Sequence, residues 1–213
     1  MRATGFVVLL LATVGLALAA VFDGPGREPA PAAIETARDT AEATFAGGCF
    51  WCVEEAFDTV PGVVSTTSGY TGGRTRDPSY EEVSAGGTGH AEAVRVVYDT
   101  AVTDYAKLLD AFWHNVDPTD GGGQFCDRGD SYRSAIFTHG EEQHRLAEAS
   151  KQALAAADRF DDPIATEVVP AGPFYQAEAY HQDYYRKNPV RYKLYKWNCR
   201  RAQRLEQIWG EKP

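Results

Sequence analysis

The sequence predicts a globular domain that mixes strands with helices, in either an α/β or an α+β arrangement. Of its 213 residues, 44% are hydrophobic and 24% are charged, a balance typical of chains that fold around a core. Segments 63–70 and 91–98, the second of them rich in valine, predict strands. Because predicted strands and helices alternate along the chain, both fold classes stay open and the strand order is not fixed.

The first 20 residues predict a signal peptide. Arg2 supplies a positive charge, an uncharged run from Gly5 to Phe22 follows it, and residues 17–19 read Ala-Leu-Ala, like a cleavage site. An uncleaved membrane anchor is the alternative, because a run of roughly 18 apolar residues can just cross a bilayer. In either case we expect the rest of the chain to be exported, to the periplasm or another extracytoplasmic space.

Residues 21–42 predict a linker rich in proline and alanine, and the folded domain is expected to span residues 43–213. Within that domain a short strand at 44–46 leads through Gly47 and Gly48 into a helix from 49 to about 59. The pair Gly72-Gly73 ends the strand at 63–70.

The second half of the domain begins with Thr103, which can cap a helix whose apolar face includes Leu108 and Phe112. Residues 117–130 then predict a glycine-rich loop. Strands at 132–137 and 165–169 lie on either side of an alanine-rich helix at 141–157. The tail from Pro189 is basic and aromatic, and predicts a helix towards Trp209.

Charge and cysteine content exclude some classes of function. Asp and Glu total 30 against 21 Lys and Arg, a net charge of −9, which argues against nucleic acid as a partner because phosphate binding needs clustered basic residues. Four cysteines are too few for a disulfide scaffold. Each cysteine is therefore expected to be a core residue, a metal ligand or a reactive thiol.

The candidate reactive residues lie together in the segment Gly47-Gly48-Cys49-Phe50-Trp51-Cys52. A strand delivers Cys49 through two glycines to the first turn of a helix, where free N–H groups and the helix dipole favour a thiolate. The glycines are expected to leave this sulfur accessible. Cys52 lies three residues on, so both sulfurs share one side of the helix, as in redox Cys-X-X-Cys motifs. Two buried core cysteines are the alternative, but the glycine pair favours a reactive site.

No metal site is predicted. Cys49 and Cys52 could form half of a four-ligand zinc site, but the other half would need a second close pair of Cys or His. Cys126 and Cys199 lie far apart in sequence, and neither has another cysteine nearby.

Five segments together resemble the A class of peptide methionine sulfoxide reductases. They run in the family's order from about Thr44 to Pro189 and read GGCFWCVEEAF, GYTGG, SYEEVSAGGTGHAEAV, DPTDGGGQFCDRGDSYRSAIF and FYQAEAYHQDYYRKNP. The resemblance implies an α+β fold, a two-layer sandwich with a mixed β-sheet and flanking helices. It also implies reduction of the S epimer of methionine sulfoxide, free or in proteins, to methionine, and hence repair of oxidised proteins.

The resemblance assigns the reaction itself to two residues. Cys49 matches the nucleophile that attacks the sulfoxide sulfur, and Glu92 matches the acid that protonates the sulfoxide oxygen. A sulfoxide oxygen is a poor leaving group until it is protonated, so this carboxyl must stay neutral, and partial burial raises a carboxyl pKa in that direction. Taken alone, Glu92 at the start of a strand would be an ordinary surface carboxylate.

The resemblance implies five further residues around the substrate. Phe50 and Trp51 match an aromatic wall around the S-methyl group. Tyr80, Asp127 and Tyr132 match polar groups that hold the oxygen or a water molecule. Taken singly, the tyrosines could be core residues and the aspartate a turn residue, so the assignment depends on the joint pattern.

The histidines are expected to be structural. Those in question are His90, His114 and His181, of which His181 lies in a family-like motif and could lie near the site.

Three cysteines are candidates to resolve the sulfenic acid that the reaction would leave on Cys49. We rank Cys52 first, because residues i and i+3 of a helical turn meet the spacing of a disulfide with little movement. Cys199 is second, since its segment must pack against the site or be mobile. Cys126 is third, because it needs only a loop shift but its neighbours Asp127 and Tyr132 are assigned to the substrate. The resulting disulfide would be reduced by a thioredoxin-like donor.

The expected partners are oxidised proteins or free methionine sulfoxide, together with an external thioredoxin or other dithiol. No cofactor and no nucleic acid are expected, a membrane is contacted only by an uncleaved leader, and the protein is expected to be a monomer. The main alternative function is a thiol–disulfide oxidoreductase that uses Cys49 and Cys52 directly. A cysteine hydrolase would need a histidine to activate Cys49, and a methionine-binding module would not need the nucleophile.

Overall fold

The computed structural model describes residues 39–210, so the predicted leader and most of the predicted linker lie outside the described residues. The strands within this range are β1 (Thr40–Gly47), β2 (Val63–Thr71), β3 (Ala91–Asp99), β4 (Gly123–Gln124), β5 (Asp127–Arg128), β6 (Ser134–Thr138), β7 (Glu167–Pro170) and β8 (Tyr175–Gln176). The helices are α1 (Phe50–Asp58), α2 (Tyr80–Ala85), α3 (Tyr105–Trp113), α4 (Glu141–Ala156), α5 (Tyr184–Lys187), α6 (Pro189–Asn198) and α7 (Arg201–Trp209), with a 3₁₀ turn at Asp130–Tyr132.

Six of these strands form one mixed sheet in the order β7-β6-β1-β3-β2-β8. The neighbours from β6 to β8 pair antiparallel, whereas β6 and β7 pair parallel after the crossover through α4. The short strands β4 and β5 form a separate hairpin inside the predicted glycine-rich loop. The architecture is α+β, as the resemblance implies.

Aromatic packing joins the sheet to the helices. On one face Phe45 of β1 stacks on Phe57 of α1 at 4.7 Å and on Phe112 of α3 at 5.2 Å between ring centroids. On the other face Phe137 and neighbouring alanines pack with Phe174. The central strands are therefore buried on both faces, and burial of this apolar surface stabilises the fold.

Element boundaries differ from the predicted ones where tertiary contacts decide them. Strand β1 begins at Thr40, before the predicted domain boundary at residue 43, because Thr40 pairs with Asp99 across the sheet. The cap of α3 is Asp104 rather than Thr103, since its carboxylate accepts the backbone N–H of Lys107 at 2.9 Å. The predicted C-terminal helix is broken into α6 and α7 at Arg200, whose φ is 51°.

The strand predicted at 132–137 starts two residues late, because Tyr132 belongs to the 3₁₀ turn. The sequence analysis did not predict α2, although Ser79 and Glu82 form a capping box at its start. Within residues 39–210 no helix combines the length and the apolar character that crossing a membrane requires.

Candidate active site

Cys49 lies where β1 meets α1. Gly48 turns the chain with a φ of +82°, and a Cβ there would lie 2.6 Å from the Cβ of Gln124, so both the backbone and the close approach require glycine. Cys49 is the N-cap residue of α1, and its carbonyl accepts the backbone N–H of Cys52 at 3.0 Å. The sequence motif therefore places the sulfur at a helix start as predicted.

The expected accessibility of this sulfur is wrong. Cys49 is 5% exposed and Cys52 is 4% exposed, and both are free thiols. They form a cluster with Tyr184 and Tyr192, which come from α5 and α6. The motif could not indicate this cover, because it is supplied by residues more than 130 positions along the chain.

Glu92 lies next to the start of α1. It occupies β3, is 2% exposed, and its Oε2 accepts the backbone N–H of Phe50 at 3.0 Å. Burial raises the pKa of Glu92 to about 8, against the lowering effect of the Phe50 hydrogen bond, and the charge of Asp127 raises it further. The alternative of a surface carboxylate is excluded, and the buried carboxyl is largely protonated at neutral pH.

Two tyrosines lie in the electrostatic environment of Glu92. Burial raises the pKa of Tyr80 to about 12, and the charges of Glu92 and Cys49 raise it further. Burial and the charge of Glu92 also raise the pKa of Tyr132. Both hydroxyls thus remain neutral and can donate hydrogen bonds.

Asp127 belongs to the same group and lies on β5. Burial raises its pKa, and the hydroxyl of Tyr195 from α6 donates to its Oδ2 at 2.5 Å. The sequence analysis did not anticipate Tyr195, because nothing in the tail sequence ties that residue to a loop 68 positions away.

The predicted aromatic wall has more members than the sequence indicates. Phe50 and Trp51 lie with ring centroids 6.3 Å apart. The Trp51 ring stacks on Tyr184 at 3.7 Å with an angle of 8° between the planes, and Tyr195 approaches its face edge-on at 5.9 Å. The wall is therefore built jointly by α1, α5 and α6.

His181 also lies at the site, the position that its family-like motif leaves open beside the expected structural role. The Trp51 indole N–H donates to its Nδ1 at 3.1 Å, so its Nε2 carries the hydrogen. That Nε2 is buried and finds no hydrogen-bond partner within residues 39–210. The ring lies against Phe50 at 4.9 Å and Tyr80 at 4.4 Å, and burial lowers its pKa, so it is a neutral donor.

Comparison with known proteins agrees with this geometry. The family model for peptide methionine sulfoxide reductase matches residues 41–213. The chain belongs to the peptide methionine sulfoxide reductase family. Peptide methionine sulfoxide reductase MsrA of Bacillus licheniformis is 55% identical over 170 residues, covering 80% of this chain and 94% of the relative. MsrA of Bacillus subtilis is 54% identical over 170 residues, covering 80% and 96% respectively.

Solved structures give the same result. Methionine sulfoxide reductase A of Corynebacterium diphtheriae matches with a TM-score of 0.64 at 39% identity, over 71% of this chain and 76% of that one. Mxr1 of Saccharomyces cerevisiae in its reduced form matches with a TM-score of 0.64 at 33% identity, over 70% and 86%. The predictions of an A-class methionine sulfoxide reductase, of its α+β fold and of thiol-dependent sulfoxide reduction are confirmed.

The two free thiols of the reductase shift each other's pKa in opposite directions. Burial raises the pKa of Cys49 well above its usual value, and Cys52 and Glu92 raise it further. The pKa of Cys52 is lowered to about 6, first by the hydrogen bond from Cys49 and then by the charge of Arg201. The Tyr192 hydroxyl lies 3.5 Å from the Cys52 sulfur and donates its hydrogen to Oε2 of Glu55 at 2.7 Å. Burial of the Cys49 sulfur thus opposes the thiolate that the helix start is expected to favour, and the thiolate at Cys49 stays a prediction.

The other two cysteines of the reductase are bonded to each other. Cys126 and Cys199 form a disulfide with a Cα–Cα distance of 4.8 Å. Together with Asp127 they place three potential ligand atoms within 4.8 Å of one another, but both sulfurs are committed to the disulfide and offer no thiolate to a metal. Of the three candidates to resolve a sulfenic acid, Cys52 is the free thiol beside Cys49.

Proposed function

We propose that Cys49 attacks the sulfur of methionine-S-sulfoxide while Glu92 protonates the sulfoxide oxygen. The observation that carries this proposal is the buried Glu92 carboxyl, held 3.0 Å from the backbone nitrogen of Phe50 and with a pKa raised to about 8 by burial. A carboxyl in that state is an acid that still holds its proton at neutral pH. Because Glu92 accepts the N–H of Phe50, the residue directly after Cys49, the carboxyl is held close to the proposed nucleophile.

The electrons and atoms balance in two steps. In the first, the Cys49 sulfur bonds to the sulfoxide sulfur, Glu92 gives its proton to the oxygen, and the S–O bond breaks with release of hydroxide. In the second, hydroxide attacks the Cys49 sulfur, the new S–S bond breaks, and its electron pair leaves with the thioether. The sulfoxide is thereby reduced by two electrons, and Cys49 is oxidised by two electrons to a sulfenic acid. Tyr80 and Tyr132, neutral beside Glu92, are proposed to donate hydrogen bonds to that oxygen.

Activation of Cys49 follows from the charge of the thiol pair. Cys52 ionises first and accepts a hydrogen bond from Cys49, so the pair carries one negative charge and one proton. We propose that this proton moves to Cys52 as Cys49 attacks, so that no histidine is needed as a base. This proposal agrees with the position of His181, which bonds to Trp51 rather than to either cysteine.

Substrate recognition is proposed to divide between apolar and polar groups. The methyl group lies against Phe50 and Trp51, whose rings form a fixed wall. The Nε2–H of His181 is a buried donor that makes no hydrogen bond among the described residues, with Oε2 of Glu178 the carboxylate oxygen near it at 3.9 Å, and a bound acceptor at hydrogen-bond distance would recover the free energy that this costs. We assign it to a carbonyl or other acceptor of the substrate.

Recycling is proposed to run through Cys52. Its thiolate attacks the Cys49 sulfur, hydroxide leaves and takes up a proton as water, and a Cys49–Cys52 disulfide forms. Two electrons must then come from outside, because Cys126 and Cys199, the remaining cysteines within residues 39–210, are already oxidised. A thioredoxin-like dithiol is the proposed donor, and no bound cofactor is needed.

The burial of Cys49 and Cys52 argues against a general thiol–disulfide oxidoreductase. Such an enzyme must bring its thiolate to the disulfide of another protein, whereas Cys49 and Cys52 are each 5% exposed or less. A substrate with a narrow side chain, such as methionine sulfoxide, fits this burial better.

An exported location remains a proposal and rests on two observations. The first is the leader pattern at residues 1–20. The second is the Cys126–Cys199 disulfide, since such bonds persist mainly in oxidising compartments. Fractionation of cells that express the full chain, with mass analysis of its N-terminus, tests both export and cleavage.

The activity is tested with the two separated epimers of methionine sulfoxide in a peptide. We expect one equivalent of methionine per enzyme from the S epimer in the absence of reductant, and none from the R epimer. Cys49→Ser is expected to fold but to form no methionine from either epimer. Methionine formation by that variant, or insulin reduction by the wild type at a comparable rate, contradicts the proposal.

A further inference from the structure

The C-terminal helices of the reductase cover its reactive cysteines. Tyr192 of α6 is buried with its hydroxyl 3.5 Å from the Cys52 sulfur, and Tyr195 lies edge-on to Trp51. A thiol of a protein reductant must come within bonding distance of the sulfur that it attacks. At 5% exposure or less, neither Cys49 nor Cys52 allows that approach while α6 stays in place.

A small thiol has a separate route to Cys52. A cavity of about 330 Å³ borders Cys52 and is lined on its far side by Lys196, Arg201 and Leu205 of α6 and α7. Its size suits a small molecule and not a folded protein. Access to Cys52 is therefore selective by size when α6 and α7 lie as they do in this structure.

Helix α6 buries one residue, Tyr192, whereas α7 buries Arg201 and Leu205. The outer face of α6 exposes Val190 (82%), Leu194 (59%) and Trp197 (76%). Its polar contacts with the rest of the domain run from Tyr192 and Lys196 to Glu55 and from Tyr195 to Asp127. A helix with an exposed outer face and one buried residue opens at a lower free energy than the core of the fold.

Helix α7 has several anchors to the body of the domain. Arg201 donates to the carbonyls of Gly47 and Asn115, and the Arg204 guanidinium pairs with Asp117 at 2.8 Å. The left-handed Arg200 separates the two helices. Movement of α6 alone, with α7 in place, is thus the smallest change that uncovers Cys52.

The Cys126–Cys199 disulfide fixes the end of α6 that adjoins this break. Cys199 is the residue after α6, and Cys126 precedes Asp127, which accepts the Tyr195 hydroxyl. The bond therefore ties α6 covalently to the loop that supplies a site residue. Cys126 is exposed, so this disulfide is open to a protein reductant while Cys49 and Cys52 are not.

We propose that the Cys126–Cys199 disulfide is a redox latch that controls access of a protein dithiol to the Cys49–Cys52 disulfide. A thiolate of the dithiol attacks the exposed Cys126 sulfur, and Cys199 leaves as a thiolate. The second thiol of the reductant then attacks the mixed disulfide and releases Cys126, so two electrons pass to the latch. With the bond broken, α6 moves away, and a second molecule of the reduced dithiol reaches Cys52 and supplies the two electrons that reduce the Cys49–Cys52 disulfide. The inference rests on the proposed function, in which Cys52 forms the disulfide with Cys49.

The test compares the oxidised wild type with the double variant Cys126→Ser/Cys199→Ser, using thioredoxin, thioredoxin reductase and NADPH. The wild type is expected to show a lag in methionine formation, which prior reduction and removal of the reductant abolishes. The double variant is expected to show no lag and an initial rate at least about tenfold above that of the oxidised wild type, because a cross-link strongly favours the closed arrangement. Lys193→Ala, at an exposed position of α6, is expected to keep the lag.

Two controls separate the latch from the chemistry. Single-turnover methionine formation without reductant, and multiple turnover with dithiothreitol, are expected to be within about twofold in all three proteins. Absence of single-turnover methionine in the wild type contradicts the proposed function and not the latch alone. A double variant that completes one turnover but loses thioredoxin-dependent turnover makes the pair an electron relay and overturns the latch, as does an unchanged rate without a lag.

Labelling gives a second measurement that does not depend on thioredoxin. With Cys49 and Cys52 reduced, a maleimide on a large polyethylene glycol is expected to react at least about tenfold faster in the double variant than in the wild type with its latch closed. Iodoacetamide, which is small, is expected to react at similar rates in both. Equal acceleration of the two reagents indicates general unfolding and overturns the proposal.

Discussion

The backbone N–H of Phe50 donates a 3.0 Å hydrogen bond to Oε2 of Glu92. The residue that follows the proposed nucleophile thereby fixes the carboxyl that is proposed to protonate the substrate. Since Phe50 is the first residue of α1, the same helix start that positions Cys49 also positions the acid. The start of α1 and strand β3 thus fix where Cys49 and Glu92 lie relative to each other.

Substitution of Glu92 by Gln is expected to slow sulfoxide reduction by roughly two to four orders of magnitude, the usual contribution of one general acid. The amide oxygen still accepts the Phe50 N–H, so substrate binding should change little. Because the pKa of Glu92 is raised to about 8, the wild-type rate should fall as pH rises through that value, where the proton is lost. Single-turnover methionine formation from pH 6 to 10 measures both effects.

The matched control for this change is Glu81→Gln, an exposed carboxylate in the first turn of α2. It is expected to leave the rate and its pH profile unchanged. A Glu92→Gln variant with the wild-type single-turnover rate would show that another group supplies the proton.

Titration of the cysteine pair is expected to reveal one thiolate with an apparent pKa of about 6. Cys126 and Cys199 are bonded, so absorbance at 240 nm reports Cys49 and Cys52 alone within the described chain. In Cys52→Ser the thiolate should appear at clearly higher pH, since burial is the main influence on Cys49 and raises its pKa. In Cys49→Ser a thiolate should still form, now at Cys52 beside Arg201. A low pKa that persists in Cys52→Ser would place the resting charge on Cys49.

Glu54 is expected to position the substrate wall without touching the substrate. Its buried carboxyl accepts the backbone N–H of Asp183 at 3.1 Å, just before Tyr184, which stacks on Trp51. Glu54→Ala should raise KM for the sulfoxide by roughly tenfold, because an N–H left without its acceptor costs about 1–3 kcal/mol. The single-turnover rate at saturation should change far less.

Rescue by the conservative variant distinguishes this role from a general loss of stability. Burial raises the pKa of Glu54 to about 7, so Glu54→Gln resembles the protonated form and still offers an acceptor. It is expected to restore KM and the tryptophan emission spectrum of the wild type. Equal losses of kcat and KM in both variants would indicate a purely structural role.

Local sequence predicts the parts of this site that depend on neighbouring residues. The glycines before Cys49 set the strand-to-helix turn, and the i, i+3 spacing brings Cys52 beside it. What covers the site could not be predicted in this way, because α6 returns to Cys52 from 140 residues further along the chain. The buried state of the sulfurs, which raises the pKa of Cys49, follows from that distant packing.

Local sequence also could not predict the contacts of Cys126, Cys199 and His181, which lie outside the Gly-Gly-Cys motif. Cys126 and Cys199 are 73 residues apart, and no spacing rule pairs them. His181 was predictable only as part of a family-like segment, since its role depends on the Trp51 indole 130 residues away. The element types were predictable from valine, alanine and glycine patterns, whereas the break at Arg200 depends on how α7 packs.

Replacement of Cys52 by Ser is expected to stop the reductase after one turnover when thioredoxin is the reductant. Cys49 can still reduce one sulfoxide, but its sulfenic acid then has no free thiol beside it, because Cys52 is the free thiol that adjoins Cys49 in the described residues. One methionine per enzyme should form, and dimedone should label Cys49, as mass spectrometry of the stalled protein would show. In Cys199→Ser, by contrast, a Cys49–Cys52 disulfide should form and turnover should continue. Sustained turnover by Cys52→Ser together with stalling of Cys199→Ser would assign the resolving role to Cys199, and the cover formed by α6 would then be the segment that carries it to the site.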